Sequence, residues 1–266
     1  LKRLEQALSG VDYVYHCAAL KHVRLCEYNP FEALKTNVDG TNNVVVASIN
    51  ARVKKVVLTS SDKAVNPSST MGTTKLLAEK IITSGNNIIG SRDIKLCSVR
   101  FGNVWNTAGS VAKIFKTQCE NNEKITLTSP EMSRFFVTMK NAIELCEFAM
   151  ENMLGGEVFI SHMGTLNIGD LANEFKEKFS NNKDFKVIGL HPGEKLYEEL
   201  YTEQEATRTG KFGNYYVILP ENQYHNKTIN YWTRNKKLQM VNPNKSLRSD
   251  ISLEEVDPKI LISEIS

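Results

Sequence analysis

The stretch Leu58–Lys80, LTSSDKAVNPSSTMGTTKLLAEK, decides how the rest of the chain is read. It opens inside Lys54–Ser61 (KKVVLTSS), a β-branched apolar run that predicts a strand buried on both faces. The run ends in Ser60-Ser61-Asp62-Lys63, a loop with Pro67 follows, and Gly72–Ile82 predicts a helix. In parallel α/β sheets ligands bind beyond the carboxyl ends of strands, so polar groups clustered there are candidates for chemistry. Met71 and Lys75, four apart, share one helix face. From these residues alone, a capped surface loop is as good a reading as a functional one.

Outward from this segment the same alternation repeats. Asp12–Ala18 (DYVYHCA) predicts a buried strand, Phe31–Asn50 a helix with Pro30 at its start, and Ile94–Phe101 (IKLCSVRF) a third strand. Val111–Asn121 and Thr138–Asn152 predict helices and Glu157–Ile160 a short strand. Such alternation means βαβ units in an α/β fold, a doubly wound parallel sheet with helices on both faces. Leu1–Leu8, apolar at 1, 4, 7 and 8, predicts an amphipathic helix. Beyond residue 160 we expect a helix at Leu166–Ser180, a strand at Phe185–Leu190, a short charged helix at Gly193–Leu200 and a strand at Tyr215–Leu219. The tail from Glu221 reads as an irregular surface segment.

Composition narrows the function classes. The 266 residues carry a net charge of +3, with 41% hydrophobic and 24% charged residues, too balanced for a nucleic-acid reader or a polybasic membrane binder. No apolar run reaches the roughly 18–20 residues of a membrane span. Five scattered cysteines without a C-x-x-C pair point to a reducing cytoplasm rather than a disulfide framework. His16 and Cys17 are adjacent on an expected strand and point to opposite faces, so no metal site is expected. No two glycines stand two apart, so a G-x-G-x-x-G dinucleotide fingerprint is absent.

The layout resembles the extended short-chain dehydrogenase/reductase superfamily, in which a strand-end Ser or Thr is followed by Tyr-x-x-x-Lys. More narrowly, Ser60–Pro67 is similar to the S-x-D-K-A-x-x-P signature of UDP-N-acetylglucosamine 4,6-dehydratases of polysaccharide biosynthesis. Ala18–Val23 (AALKHV), Glu27–Pro30 (EYNP), Thr36–Thr41 (TNVDGT), Arg100–Val104 (RFGNV), Ser133–Phe136 (SRFF) and Pro192–Lys195 (PGEK) agree with it in order and spacing. Three departures stand out. The family's N-terminal βαβ unit with its glycine-rich loop is expected before Leu1, so the chain reads as truncated. Met71 occupies the tyrosine position, and a thioether cannot exchange a proton. His191 stands where the family has Arg, offering one donor in place of a bidentate fork.

The resemblance implies a partial Rossmann-like fold with a smaller C-terminal substrate-binding portion. Residues 1–108, with 138–162, would form the truncated NAD-binding portion, and 109–266 mainly the discontinuous substrate-binding one. It implies NAD(P) as cofactor, NAD in preference, and a UDP-sugar as substrate. Ser61 would bind the 4-hydroxyl, Lys63 would abstract the C5 proton, Asp62 would protonate the departing C6 oxygen, and Lys75 would hold the nicotinamide ribose. Lys75 would also serve as the cation that helps Lys63 shed its proton. Ala18, Ala19 and Asn37 fall on the cofactor side, although Asn37 also reads as a satisfied helix-interior side chain. Lys21, His22, Asn103, Arg134, His191 and Glu194 fall on the substrate side. Lys21 and His22 could equally be a solvated loop, Arg134 a surface ion pair, and Glu194 a partner of Lys195 along a helix. Trp105 reads as stacking or core, and Tyr215-Tyr216 as strand packing. The expected activity is 4,6-dehydration with inversion at C5, in a cytoplasmic homo-oligomer. A UDP-sugar 4-epimerase is one rival, which the Asp62-Lys63 pair argues against. A catalytically silent UDP-sugar-binding fragment is the other, favoured by Met71, His191 and the missing loop.

Overall fold

A computed structural model describes residues 1–179, 185–221, 226–251 and 255–263. Helix α1 (Lys2–Ala7) places Leu4 against the core, with Leu8 just beyond its end. Strand β1 (Tyr13–His16) leads through α2 (Val23–Tyr28) to one long helical run. That run starts as α3 (Pro30–Ala33), widens into a π-helical turn at Leu34–Asp39 and continues as α4 (Gly40–Ala51). Pro30 presets the first turn, and Arg52 ends the run in the left-handed region at φ 59. Then come β2 (Lys55–Thr59), α5 (Thr70–Gly85) and β3 (Lys95–Arg100). Ser69 caps α5, its Oγ accepting from the Gly72 N–H at 3.1 Å.

The chain next leaves the sheet through β4 (Asn103–Val104), α6 (Val111–Glu120), β5 (Ile125–Leu127) and β6 (Ser133–Val137). Helix α7 (Met139–Asn152) brings it back to β7 (Val158–Ser161). Beyond lie β8 (Gly164–Asn167), α8 (Ile168–Phe179), β9 (Phe185–Val187), β10 (Glu199–Tyr201), α9 (Glu203–Ala206), β11 (Thr209–Phe212) and β12 (Tyr215–Ile218). The last elements are α10 (Asn226–Asn230), β13 (Gln239–Met240), β14 (Leu247–Arg248) and α11 (Pro258–Ser263).

The main sheet has the order β1-β2-β3-β7-β12-β11-β13, parallel from β1 to β7 and antiparallel beyond. Its apolar runs are explained by alternation: Val56, Leu58 and Leu96 pack toward α4 and α5, whereas Val57, Cys97 and Val99 pack toward α7. A separate cluster joins α6, α8 and α11 through Phe115, Leu171, Phe175 and Leu261. Among the described residues no helix is long and apolar enough to cross a membrane.

Several expectations need correction. Asp12–Ala18 is not buried on both faces among the described residues: α7 lies over β2, β3 and β7, and Tyr13 and Tyr15 remain 55% and 46% exposed. Gly193–Leu200 is not a helix but a turn followed by extended chain entering β10, because the Lys195 and Leu196 carbonyls accept from Arg134 instead of closing helical turns. Leu166 and Asn167 end β8 rather than start α8, since residues 164–167 pair with β6. The expected helix end at Ser180 lies outside the described residues. The Phe185–Leu190 strand stops at Val187. The tail from Glu221, whose residues 222–225, 252–254 and 264–266 lie outside the described ones, is not mere surface. Trp232 is fully buried and donates to Glu157 at 2.9 Å, β13 extends the main sheet, and β14 pairs with β10.

Candidate functional site

Beyond the carboxyl ends of β1, β2 and β3 the loops diverge around a cleft of about 400 Å³. Its wall includes Ala19, Ser60, Ser61, Lys63, Met71, Lys75 and Asn103. Lys21, His22, Lys63, Asn103 and Gly109 also line an adjoining cavity of about 790 Å³, which continues to Arg134, Glu194 and Glu198. Residues from both cavities therefore meet at Lys63.

A 3₁₀ turn, Asp62–Ala64, directly after β2 aims the central groups. Ser61 Oγ accepts from the Lys63 N–H at 3.2 Å and donates to Asp62 Oδ1 at 2.7 Å. Lys63 Nζ lies 3.0 Å from Asp62 Oδ1, 3.3 Å from Asn103 Oδ1 and 3.6 Å from Glu198 Oε1. Asp62 is fully buried and lines neither cavity, and its Oδ2 has no hydrogen-bond partner among the described residues. Across the cleft, Lys75 Nζ donates to Thr59 O at 2.6 Å, one helical turn beyond Met71.

Burial pulls the Lys63 ammonium down, as expected of a lysine base, but Asp62 and Glu198 outweigh it and hold its pKa above the ordinary 10.5. The cation working against Lys63 is Arg134, not the expected Lys75. Burial lowers the pKa of Lys75 itself. The Glu198 carboxyl is raised, by burial first and by Asp62, against the opposing pull of Lys63, Arg134 and Lys195.

The remaining candidates divide. Lys21 Nζ donates to Ala108 O at 3.0 Å and, with His22, forms the rim shared by the two cavities. Arg134 is no surface ion pair: it is 6% exposed and spends its guanidinium on the carbonyls of Ser133, Lys195 and Leu196. Glu194 lines the larger cavity and accepts from the His191 backbone N–H. His191, Ala18 and Asn37 line neither cavity. Asn37 is a clamp. Its Oδ1 accepts from Leu20 N at 2.7 Å, and its Nδ2 donates to Leu20 O at 3.1 Å and Thr74 Oγ1 at 2.9 Å, pinning the loop that carries Ala19–His22. Trp105 is core, donating to Leu261 O and meeting Phe136 edge-on. Tyr215 stacks on Phe148, as strand packing requires.

A family model described as "Polysaccharide biosynthesis protein" matches residues 1–220. The chain belongs to that family. Among its relatives is a UDP-N-acetylglucosamine 4,6-dehydratase (inverting) of Campylobacter jejuni, 37% identical over 85% of this chain and 67% of that protein. A UDP-glucose 4-epimerase of Rickettsia felis is 35% identical over 98% of this chain and 76% of that protein. The X-ray structure of Pen from Bacillus thuringiensis superposes with a TM-score of 0.88 at 39% identity, covering 99% of this chain and 77% of that one. Both named activities modify a nucleotide sugar, and that coarser statement holds for this polysaccharide biosynthesis protein.

Within this family member the sequence reading missed one group at the centre of the site. Glu198 sits in the Gly193–Leu200 segment, whose charges look like those of a solvated helix. The available signal was the adjacent Glu198-Glu199 pair running straight into the apolar Leu200-Tyr201, a poor fit to an exposed face.

Proposed function

We propose that the chain catalyses NAD-dependent 4,6-dehydration of a UDP-N-acetylhexosamine, UDP-N-acetylglucosamine first, with inversion at C5, for surface polysaccharide or glycan synthesis. The observation that carries this reading is the Ser61-Asp62-Lys63 turn at the meeting of the two cavities. Epimerisation at C4 needs proton transfer at one oxygen, whereas loss of the C6 hydroxyl also needs a base at C5 and an acid at C6. Residues 1–108 and 138–162 would serve the cofactor, and 109–266 mainly the sugar nucleotide.

The residues present fit NAD at its nicotinamide end. Lys75 is buried in the cleft wall, and Thr59 O is its one hydrogen-bond acceptor among the described residues, which leaves N–H groups for ribose hydroxyls. Held beside Lys75, NAD would supply the hydride acceptor for C4 and the hydride donor for C6. The chain's own work is with protons. Met71 carries none, so the 4-hydroxyl proton passes to Ser61 Oγ and on to Asp62 Oδ1 along their 2.7 Å hydrogen bond, and Asp62 protonates the departing C6 oxygen. Lys63 takes the C5 proton. Lys21, His22 and Arg134 line the cavity for the UDP moiety.

The test is incubation of the chain, and of a version extended upstream in its gene, with UDP-N-acetylglucosamine and NAD, followed by mass spectrometry. Loss of one water is expected, and Lys63→Met should abolish it while sugar-nucleotide binding persists. A C4 epimer without water loss would establish the second reading, UDP-sugar 4-epimerase, which the Rickettsia relative's 98% coverage of this chain favours. Dehydration by K63M would remove Lys63 from the mechanism.

A further inference from the structure

Ser249 follows β14 directly, and β14 pairs antiparallel with β10, so Ser249 lies against Glu198, the residue before β10. It is buried, and its backbone N–H donates to Glu198 O at 2.9 Å. Its Oγ accepts from the Glu198 N–H at 3.0 Å and donates to Ser133 O at 3.2 Å, and Ser133 Oγ lies 2.8 Å from it. A hydroxyl has one donor and two acceptor sites, so with Ser133 Oγ as donor every site on Ser249 Oγ is used. One buried side chain therefore ties the C-terminal strand to β6 and to the extended segment that carries Glu194 and Glu198.

The two walls it joins differ in how much they depend on it. Arg134, next to Ser133 on β6, also donates to Lys195 O at 2.7 Å and to Leu196 O at 3.1 Å, and Ser133 N donates to Leu196 O at 2.9 Å. Glu198 has Ser249 on both sides of its backbone, and its carboxylate makes two long ion pairs, Oε1 to Lys63 at 3.6 Å and Oε2 to Lys195 at 3.9 Å. Around Lys63 Nζ stand three oxygens: Asp62 Oδ1 at 3.0 Å, Asn103 Oδ1 at 3.3 Å and this Glu198 Oε1. The first belongs to the same turn as Lys63, whereas the third comes to Lys63 through the C-terminal tie.

We propose that Ser249 is a positioning residue for the reaction: by holding the Glu198 backbone against β6 it keeps the Glu198 carboxylate beside Lys63 and so aims the Lys63 Nζ. The proposal rests on the dehydratase reading, in which Lys63 takes the C5 proton. A base acts only when it points at its proton, and a misplacement of an ångström is enough to slow the step. Without the Ser249 hydroxyl, the buried Glu198 N–H and Ser133 O each lose a partner, and the segment before β10 must shift to find another. Glu198 then moves away from Lys63, and Nζ falls back on Asp62 and Asn103. The sugar-nucleotide wall keeps its shape, because Arg134 retains the Lys195 and Leu196 carbonyls.

The test compares the parent with Ser249→Ala, Ser249→Thr, Glu198→Gln and the double variant S249A/E198Q, in whichever version of the chain loses water above. Three quantities are read: UDP-N-acetylglucosamine affinity by calorimetry, C5 hydrogen exchange in D₂O with NAD present, and water loss by mass. In S249A we expect unchanged affinity, with exchange and water loss both slowed by about ten- to a hundredfold. S249T, which keeps the hydroxyl, should restore both rates. E198Q should slow them too, and adding S249A to it should cost nothing further, the non-additivity of two residues that act as one. Should S249A not fold, Ser133→Ala, which loosens Ser249 from β6, is read in its place and against E198Q in the same way. Parent-like rates in S249A, an affinity loss as large as the rate loss, or an undiminished further loss in the double variant each overturns the assignment. A parent that binds the sugar nucleotide yet neither exchanges C5 nor loses water fells the dehydratase reading itself, and the role of Ser249 with it.

Discussion

His16 ends β1 with its Nε2 3.1 Å from Thr41 Oγ1, which in turn donates to Asn37 O at 2.6 Å. Burial, and then the nearby Lys75 ammonium, lowers its pKa from 6.5 to about 4. The unfolded chain therefore binds a proton that the folded chain refuses across that window, so stability rises from about pH 4 to 6.5 and is fully present above it. The shift corresponds to about 3 kcal/mol at its limit. Replacing His16 by Gln should flatten the dependence of urea-unfolding free energy on pH between these values; parallel curves for parent and variant would show that His16 does not titrate on folding. At this scale much of the site was legible. Ser61, Asp62, Lys63, Met71 and Lys75 lie within one short strand-turn-helix segment, and local geometry fixes their neighbours. Glu198 was not, because its position beside Lys63 depends on a chain separation of 135 residues, obtained as 198 minus 63.

Helix α5 can approach the Asp62–Ala64 turn because its first turn has a glycine. A Cβ on Gly72 would lie 2.2 Å from Lys63 O and 3.1 Å from Pro67 Cβ, with backbone on one side and a proline ring on the other. Gly72→Ala should cost about 1–3 kcal/mol by overpacking and displace Lys63. Gly40 is the contrast, since a Cβ there meets only Lys35 O at 3.6 Å in the first turn of α4. Gly40→Ala should stabilise by up to about 1 kcal/mol through helix propensity. Denaturant unfolding of both variants checks the pair; equal effects would mean that α5 does not need this close approach. The long helix between β1 and β2 was readable from periodicity, but its π-helical turn was not. That turn sets Asn37 toward Leu20 and Thr74, a tertiary arrangement with no periodic trace in the sequence.

Across the whole molecule, Arg100 ties the parallel sheet to the C-terminal elements. It is 2% exposed, donates to Glu79 from α5 at 2.9 and 2.7 Å and to Glu205 from α9 at 2.9 and 2.8 Å, and reaches Leu200 O at 3.2 Å. Glu79→Ala leaves that guanidinium half-paired in the interior and should cost about 3–5 kcal/mol, measurable by thermal or urea unfolding. A loss below about 1 kcal/mol, the size of a surface pair, would show that water relieves the charge. Glu194 to Glu199 owe their conformation to the same kind of long-range tie, through Arg134 and Asn66. The sequence by itself determined the α/β class, the parallel order of apolar strands and the strand-end turn, because hydrophobic period and short-range sterics act over a few residues. Only the tertiary structure decided that Gly193–Leu200 is extended, that Trp232 is core, and that Glu198 joins Asp62 and Lys63. Each of these depends on which distant backbone and side-chain groups satisfy one another once water is excluded, and no local pattern encodes that pairing.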